Sequence, residues 1–267
     1  GQFLDGVSSV FFNQFGANTN DEIKAINKQI APKLAAHGDN INLNPKLFSR
    51  VKVVYDEQEE INLSVEEKNE KALNTVQTAL LEKVYSGFVR GGANLNAEDQ
   101  AKLREINSKT ALLYPQFGEN VIKDRSDYAL VIENESDLSG LPQSVRDAAM
   151  ETAKAKGYEG KWVFTMDKPS WIPFLQYADN RELRKELYTA WMNIANNNNE
   201  NDNKEVIKEI LQLRLQKAKL LGYNTFADFA IDNNMAKTPE NVLNLLTQLW
   251  DAALPMAKQE AKELQAI

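Results

Sequence analysis

The sequence predicts a mainly α-helical protein with a small β element, formed by two short strands near residues 128–132 and 162–166. Along most of the chain, apolar residues recur at intervals of three and four, which is the pattern of an amphipathic helix. Capping residues and glycines separate these helical stretches. At the two strand positions, alternating or bulky β-branched residues interrupt the pattern. Together these observations indicate a multi-helix fold.

The first predicted helix runs from about Asp21 to Ala36. Asn20 is a suitable N-cap, because its side-chain oxygen can accept a hydrogen bond from an unpaired amide of the first turn. Pro32 should bend this helix, since it has no amide hydrogen. A second helix follows, with Pro45 in its first turn.

Two longer helices come next, each with a capping motif. Ser64 and Glu67 match the S-x-x-E capping box, and the helical pattern after them ends at the glycine pair of residues 91–92. Asn96 and Asp99 have the same three-residue spacing as a capping box and are predicted to begin the following helix.

Two strand-like segments flank a compact helix that ends near Gly157. In the first segment, Tyr128, Leu130 and Ile132 alternate with other residues, and in the second, bulky or β-branched residues occupy 162–165. The intervening helix allows the strands to pair in a small sheet. The spacing leaves both the parallel and the antiparallel arrangement open.

Two prolines, Pro169 and Pro173, exclude a long uninterrupted helix after the second strand. Asp179 with Glu182 is then expected to cap a helix. The asparagine run of residues 196–203 ends that helix and is interpreted as a solvated loop.

Three helices complete the chain. An amphipathic helix ends at Gly222, a short helix follows, and a last helix begins at the Thr238-Pro239-Glu240 start signal and continues to the end of the sequence.

Composition limits the classes of function. The 31 basic and 38 acidic residues give a net charge of -7, which opposes binding to nucleic acid or to an anionic membrane surface. No apolar run approaches the roughly 20 residues of a spanning helix. With no cysteine, disulfides and thiolate metal sites are excluded. The amino terminus lacks the features of a signal peptide. We expect a cytoplasmic location, with the periplasm as the alternative if a signal is missing.

Catalytic motifs are absent from the sequence. His37 is the sole histidine, and it is expected at a helix end just before Gly38, where a histidine more often completes the last turn or faces solvent than binds a metal. A zinc site usually has several ligands one helical turn apart, as in H-E-x-x-H, and the chain has no such motif. It also has no G-x-S-x-G to expose a nucleophilic serine.

Other polar motifs have structural interpretations. The carboxylate pairs at 59–60, 66–67 and 260–263 lie on charged helical faces or in a polar linker, where solvation is the usual role. The asparagine run lacks the glycine and the carboxylates of a calcium loop. The glycine pair at 91–92 follows a helix rather than a strand, so a phosphate cradle is not expected.

A cluster of aromatic residues is the remaining candidate for a binding surface: Trp162, Phe164, Trp171, Phe174 and Tyr177. Aromatic rings bury large areas wherever they can, so a role in the core is the favoured interpretation. The sequence therefore predicts no catalytic, cofactor-binding or metal-ligating residue in this chain.

Six segments, in this order, resemble one known family: NTNDEIKAINKQIAPKLAAHGDNINLNPKLFSRV, FVRGGANLNAEDQAKLREIN, PQFGENV, GKWVFTMDKPSWIPFLQYADNRELRKELYTAW, NKEVIKEILQLRLQKAKLLGY and MAKTPENV. The sequence is similar to the amino-terminal half of the thimet oligopeptidase-like zinc metallopeptidases, most closely their bacterial peptidyl-dipeptidase Dcp branch. The resemblance covers nearly the whole chain.

The resemblance implies an almost wholly α-helical peptidase that cuts short peptides in a deep channel between two helical halves. It also implies a zinc ion held by two histidines of H-E-x-x-H and a later glutamate, all in the carboxyl-terminal half. Residues 1–267 are then expected to form the amino-terminal, channel-wall domain of a larger peptidase and to bind no zinc. The implied partners are short peptide substrates and the protein's own carboxyl-terminal catalytic half.

Two hypotheses follow. In the first, the parent protein releases dipeptides from the free carboxyl ends of peptides, and this chain alone is inactive. Both chain ends are expected to be cut, because Gly1 stands in place of a methionine and Ile267 falls within a helical pattern. In the second hypothesis, the chain is a stand-alone, non-catalytic helical binding or scaffold protein.

Overall fold

The computed structural model describes residues 1–63 and 72–267. Within these residues the chain forms eleven α-helices and two β-strands, which confirms the predicted mainly α fold. The elements, in chain order, are α1 (Gln2–Ala17), α2 (Asp21–Asn42), α3 (Pro45–Leu63), α4 (Thr75–Arg90), α5 (Ala97–Asp127), β1 (Leu130–Ile132), α6 (Gln143–Ala155), β2 (Trp162–Phe164), α7 (Lys168–Tyr177), α8 (Arg181–Met192), α9 (Lys204–Leu220), α10 (Phe226–Ile231) and α11 (Pro239–Gln265).

The chain divides into two compact units. Unit 1 comprises residues 1–111 and 211–267, and unit 2 comprises residues 112–210. Helices α5 and α9 contribute residues to both. No helix in residues 1–63 or 72–267 is long and apolar enough to cross a membrane.

Helix α2 begins as predicted and ends later than predicted. The Asn20 side-chain oxygen accepts a hydrogen bond from the Ile23 amide at 2.8 Å, so the N-cap is confirmed. The expected end near Ala36 is wrong, because the helix continues through Gly38 to Asn42. Its added turn is held by α5, since Asn107 donates to the Asp39 carboxylate at 2.7 Å and Arg104 donates to Asn40 at 2.9 Å. These tertiary bonds offset the helix-weakening effect of glycine.

Helix α4 ends at the predicted glycine pair. Gly92 has a φ of +94°, and a Cβ atom there would lie 2.5 Å from Leu103 Cδ2, so only glycine fits without a shift. At its other end, α4 starts at Thr75 with a capping box formed by Asn74 and Gln77. The capping box predicted at Ser64 and Glu67 lies outside the described residues.

The predicted start of α5 is confirmed. The Asp99 amide donates to the Asn96 side chain at 2.9 Å, and the Asn96 amide group donates to the Asp99 carboxylate at the same distance. Both ends of the capping pair are therefore satisfied.

Arg90, the last residue of α4, connects that helix to the segment between α9 and α11. Its guanidinium donates to the Phe229 carbonyl at 2.6 Å and to the Asp232 carboxylate at 3.0 Å. It also lies 4.4 Å from the centre of the Phe229 ring, within cation–π range. Asp232 accepts a second hydrogen bond, from the Tyr223 hydroxyl at 2.8 Å. One planar side chain thus fixes the carboxyl-terminal part of unit 1 to its amino-terminal part.

Replacing Arg90 with alanine is expected to lower the free energy of unfolding of unit 1 by about 2–3 kcal/mol, because a largely buried, charged hydrogen-bonding group is lost. Arg90→Lys should recover less than half of this, since an ammonium cannot reproduce the planar fork. Urea denaturation followed by circular dichroism measures both. Arg50→Ala on the exposed face of α3 is the matched control. An Arg90→Ala variant as stable as the control would contradict the anchoring role.

Unit 2 contains the small sheet. Strands β1 and β2 pair antiparallel, with Leu130 opposite Phe164, Val131 opposite Val163 and Ile132 opposite Trp162, which answers the question left open by the sequence. Each strand has three residues, fewer than the predicted 128–132 and 162–166. Strand β2 ends early because the Thr165 amide donates to the Ser170 side chain, at 2.9 Å, and the chain turns into α7.

The core of unit 2 packs helices α6, α7 and α8 around this sheet. Its buried residues are Leu130, Ile132, Leu138, Leu141, Ala149, Phe164, Phe174, Ala178 and Leu187. Helix α7 has ten residues and carries Pro169 in its first turn and Pro173 in its interior, so the exclusion of a long helix is confirmed.

The predicted cap of α8 is wrong. Instead of Asp179 with Glu182, the side chain of Asn180 accepts hydrogen bonds from the Glu182 and Leu183 amides at 3.1 and 3.2 Å. Asp179 accepts from the Ser139 hydroxyl at 2.6 Å and is therefore engaged with the turn before α6. Asparagine and aspartate are equally good N-caps, so the sequence does not distinguish Asp179 from Asn180. The contact of Asp179 with Ser139 leaves Asn180 as the cap.

The asparagine run forms a loop after α8, as predicted, and residues 196–200 are exposed, but the end of the run is buried rather than solvated. Asn201 and Asn203 are buried, and Asn203 donates to the Phe117 carbonyl at 3.0 Å. Asp124, near the end of α5, is also buried and accepts hydrogen bonds from three groups of the loop: the Ala195 amide, Asn197 and Asn199. The loop therefore folds around a buried carboxylate.

Candidate functional site

The aromatic cluster belongs to the core of unit 2, as the favoured interpretation predicted. Phe164 and Phe174 are fully buried, with ring centres 4.5 Å apart. Trp171 stacks on Trp191 at 4.7 Å and packs against the same core, as does Trp162. Of the five predicted residues, Tyr177 alone is exposed, at 45 %. The cluster therefore forms no aromatic binding platform.

The histidine and the carboxylate pairs that were considered as site residues lie on exposed helical surfaces or outside the described residues. His37 lies inside α2 and is exposed, so its predicted place at a helix end is wrong. The carboxylates at 59–60 and 260–263 lie on exposed helical faces, while those at 66–67 are outside the described residues. Among residues 1–63 and 72–267, no group of three or more histidine, aspartate or glutamate side chains is arranged to hold a metal ion.

One groove in unit 1 has a size that fits a ligand. It lies between the first turns of α5 and the last turns of α9 and has a volume of about 630 Å³, within the usual range for ligand sites. The groove is lined by Asp99, Lys102, Glu105, Ile106, Lys109, Leu213, Leu215, Gln216, Lys219 and Leu220. No pattern in the sequence predicts this groove.

The floor of this groove is apolar and its rim is charged. Ile106 and Leu213 are buried, whereas Leu215 is 48 % exposed and Leu220 is half-buried. On the α5 side, Lys102 pairs with Asp99 at 3.0 Å. The arrangement is an amphipathic cleft with ordered charges along one edge.

The charged side chains on the α5 side of the rim pair with one another, three carboxylates with two lysines. Lys102 also pairs with Glu98, at 2.9 Å, and Lys109 pairs with Glu105 at 2.7 Å. The α9 side presents Gln216 and Lys219, and neither side chain has a hydrogen-bond or ion-pair partner within the described part of the chain. Within the described residues, the Lys219 ammonium on the α9 side is therefore unpaired.

A partly buried polar network connects the two walls of the groove to α2. The Lys217 ammonium donates to the Asn107 side chain at 2.9 Å, and Asn107 donates to Asp39 at 2.7 Å. Burial raises the pKa of Asp39, while the bond from Asn107 and the charges of Arg104 and Lys217 oppose that rise. Burial lowers the pKa of Lys217, and the Asp39 charge opposes this. The network fixes the relative position of α2, α5 and α9 within unit 1.

The lowered pKa of Lys217 predicts a pH dependence of stability. Between the lowered folded-state pKa and the ordinary value of 10.5, the unfolded chain binds more protons than the folded chain, so this group makes stability rise with pH. The free energy of unfolding of the parent chain minus that of Lys217→Met should therefore increase as pH rises toward 10.5. Urea denaturation at a series of alkaline pH values measures it, and a constant difference would contradict the burial of this ammonium.

Helix α11 presents a large apolar surface. It packs against α10, and none of its residues, all of which the structure describes, is buried. The exposed apolar side chains, here called the α11 face, are Leu243, Leu245, Leu246, Leu249, Trp250, Met256 and Leu264. A patch of this extent on one helix usually marks an interaction surface.

Comparisons with known proteins show similarity to one family of peptidases. Residues 174–267 match the family described as Peptidase family M3. The whole chain is 32 % identical, over 267 residues, to the dipeptidyl carboxypeptidase of Escherichia coli (strain K12), of which it covers 38 %. The chain is therefore similar, over its whole length, to members of peptidase family M3. This confirms the resemblance on which the sequence interpretation rested.

Two further relatives also align with this chain over only part of their own length. The chain is 28 % identical over its full length to the dipeptidyl carboxypeptidase of Salmonella typhimurium, covering 38 % of that protein. It is 37 % identical over 193 residues to oligopeptidase A of Haemophilus influenzae, an alignment that spans 71 % of this chain and 28 % of the relative. The chain thus spans about a third of the length of the curated relatives it matches.

Proposed function

We propose that this chain is the amino-terminal, non-catalytic part of an M3 zinc peptidase that hydrolyses short peptides and releases dipeptides from free carboxyl ends. The observation that carries the proposal is the full-length alignment of this chain with 38 % of a dipeptidyl carboxypeptidase. The rest of such a protein would hold the catalytic centre. The chain described here would form one wall of the substrate channel.

The residues of this chain do not fit the zinc ion of such an enzyme. The sole histidine, His37, is exposed on α2, and the described residues contain no cluster of three candidate ligands. A catalytic zinc in proteins usually has three protein ligands, most often histidines and a carboxylate. No step of peptide hydrolysis is therefore assigned to any residue of this chain.

The exposed apolar side chains of the α11 face favour a second protein surface that packs against them. We assign this role to the catalytic part of the same protein, because the relatives extend well beyond the length of this chain and their remaining residues need a surface to pack against. Obligate interfaces of this kind are apolar and resemble a divided core. The exposed leucines and Trp250 of α11 have that composition.

The proposal is tested with the purified 267-residue chain. We expect substoichiometric zinc after dialysis and no release of dipeptides from a short unblocked peptide, measured by metal analysis and mass spectrometry. The dipeptidyl carboxypeptidase of E. coli is the positive control for the assay. Chelator-sensitive hydrolysis by this chain alone, at a rate unaffected by further purification, would contradict the assignment of the chemistry to another part of the protein.

A further inference from the structure

We propose that the groove between α5 and α9 binds a short peptide segment through an apolar side chain on its floor and a carboxylate at Lys219. This inference rests on the proposed function, since a peptide-processing protein supplies the ligand class. It assigns a specific anchoring site, selective for acidic peptides, to the part of the protein that carries no catalytic group.

The floor of the groove supplies the apolar contact. Leu215 is half-exposed and lines the groove together with the buried Ile106 and Leu213, so a peptide side chain placed there would remove apolar surface from water on both partners. The volume of about 630 Å³ accommodates side chains of a short peptide but not a folded domain.

The charges of the rim supply the selectivity. Asp99 and Glu105 are already paired with Lys102 and Lys109 on their own helix, so these four groups are engaged before a ligand arrives. Lys219 has no ion-pair partner within residues 1–63 and 72–267. A ligand carboxylate is the group that complements an unpaired ammonium at the edge of an apolar cleft.

The groove is also held in shape before any ligand binds. Lys217, Asn107 and Asp39 connect α9, α5 and α2 through hydrogen bonds of 2.9 and 2.7 Å, and Asn107 and Lys217 adjoin residues that line the groove. A ligand therefore incurs little cost for ordering the protein, and the site favours a peptide that fits the existing spacing.

The test uses two blocked peptides, acetyl-Leu-Leu-Glu-Leu-amide and its glutamine counterpart, titrated into the isotope-labelled 267-residue chain and followed by NMR. Blocking both ends leaves the glutamate side chain as the single difference in charge. We expect the glutamate peptide to bind about two- to fivefold more tightly, the range for a partly solvated ion pair. The amides that shift should lie in the α5 and α9 segments that line the groove.

Three variants complete the test. Lys219→Gln should abolish the preference for glutamate, whereas Lys83→Gln, which removes an exposed lysine from α4 in the same unit, should preserve it. Leu215→Ser should weaken both peptides by about threefold or more, because the apolar contact is reduced. Circular dichroism confirms that each variant is folded.

Equal affinity of the parent chain for the two peptides, no binding at all, or shifts confined to residues outside the groove would each overturn the proposal. Retention of the glutamate preference in Lys219→Gln would overturn the role of that ammonium. None of these results changes the zinc and hydrolysis measurements on the purified chain, so the failure of this inference is distinguishable from the failure of the proposed function.

Discussion

Replacing Phe174 with alanine is expected to lower the free energy of unfolding of unit 2 by about 3–5 kcal/mol. Phe174 is 0 % exposed and lies at the centre of the core formed by α6, α7, α8 and the sheet. Its ring centre is 4.5 Å from that of Phe164. Removal of the ring loses both the burial of a large apolar side chain and the aromatic contact, and it leaves a cavity that the surrounding helices fill only in part.

Tyr177, three residues further along α7, provides the matched control. It is an aromatic residue on the same helix but is 45 % exposed, so Tyr177→Ala should change the free energy of unfolding by less than about 1 kcal/mol. Urea denaturation followed by tryptophan fluorescence measures both variants, because the Trp171–Trp191 stack lies in this unit. Effects of equal size would show that the aromatic cluster is not the core described above.

Replacing Asp124 with alanine should lower the free energy of unfolding of unit 2 by about 2–4 kcal/mol. The carboxylate is 7 % exposed and accepts from the Ala195 amide at 2.7 Å, from Asn197 at 2.8 Å and from Asn199 at 3.0 Å. Without it, a buried backbone amide loses its partner. The loop would also lose the contacts that hold Ala195 at a φ of +56°, a conformation that costs free energy for a residue other than glycine.

Asp127→Ala, at the exposed end of α5, is the control for this second substitution, since it removes the same charge without the buried bonds. Asp124→Asn should be intermediate, because one side-chain oxygen remains as an acceptor. Hydrogen exchange of the Ala195 amide reports the local effect, and urea denaturation reports the global one. A protected Ala195 amide in Asp124→Ala would contradict the role of this carboxylate.

Much of the fold could be predicted because its signals are local. The caps at Asn20 and Asn96, the helix stop at Gly92 and the strands near Leu130 and Trp162 each depend on residues close together in the sequence. Capping and positive φ angles are properties of a few adjacent residues, so a single sequence contains them.

The wrong predictions share a different cause, which is contact between distant residues. The end of α2 depends on a bond from Asn107 to Asp39 across 68 positions, and the folding of the asparagine run depends on Asp124, 71 positions before Ala195. A sequence does not show whether a polar residue will be exposed to solvent or will form a hydrogen bond with a buried partner from a distant segment. The groove was missed for the same reason, because its walls come from two helices more than a hundred residues apart.

We propose that this chain contributes structure and peptide contacts, while the zinc chemistry belongs to another part of the same protein. The most direct measurement is to read the gene downstream of the codon for Ile267. The account predicts an open reading frame that encodes H-E-x-x-H within the following few hundred codons. A stop codon at that point, with no such motif in frame, would contradict it and favour a stand-alone helical binding protein.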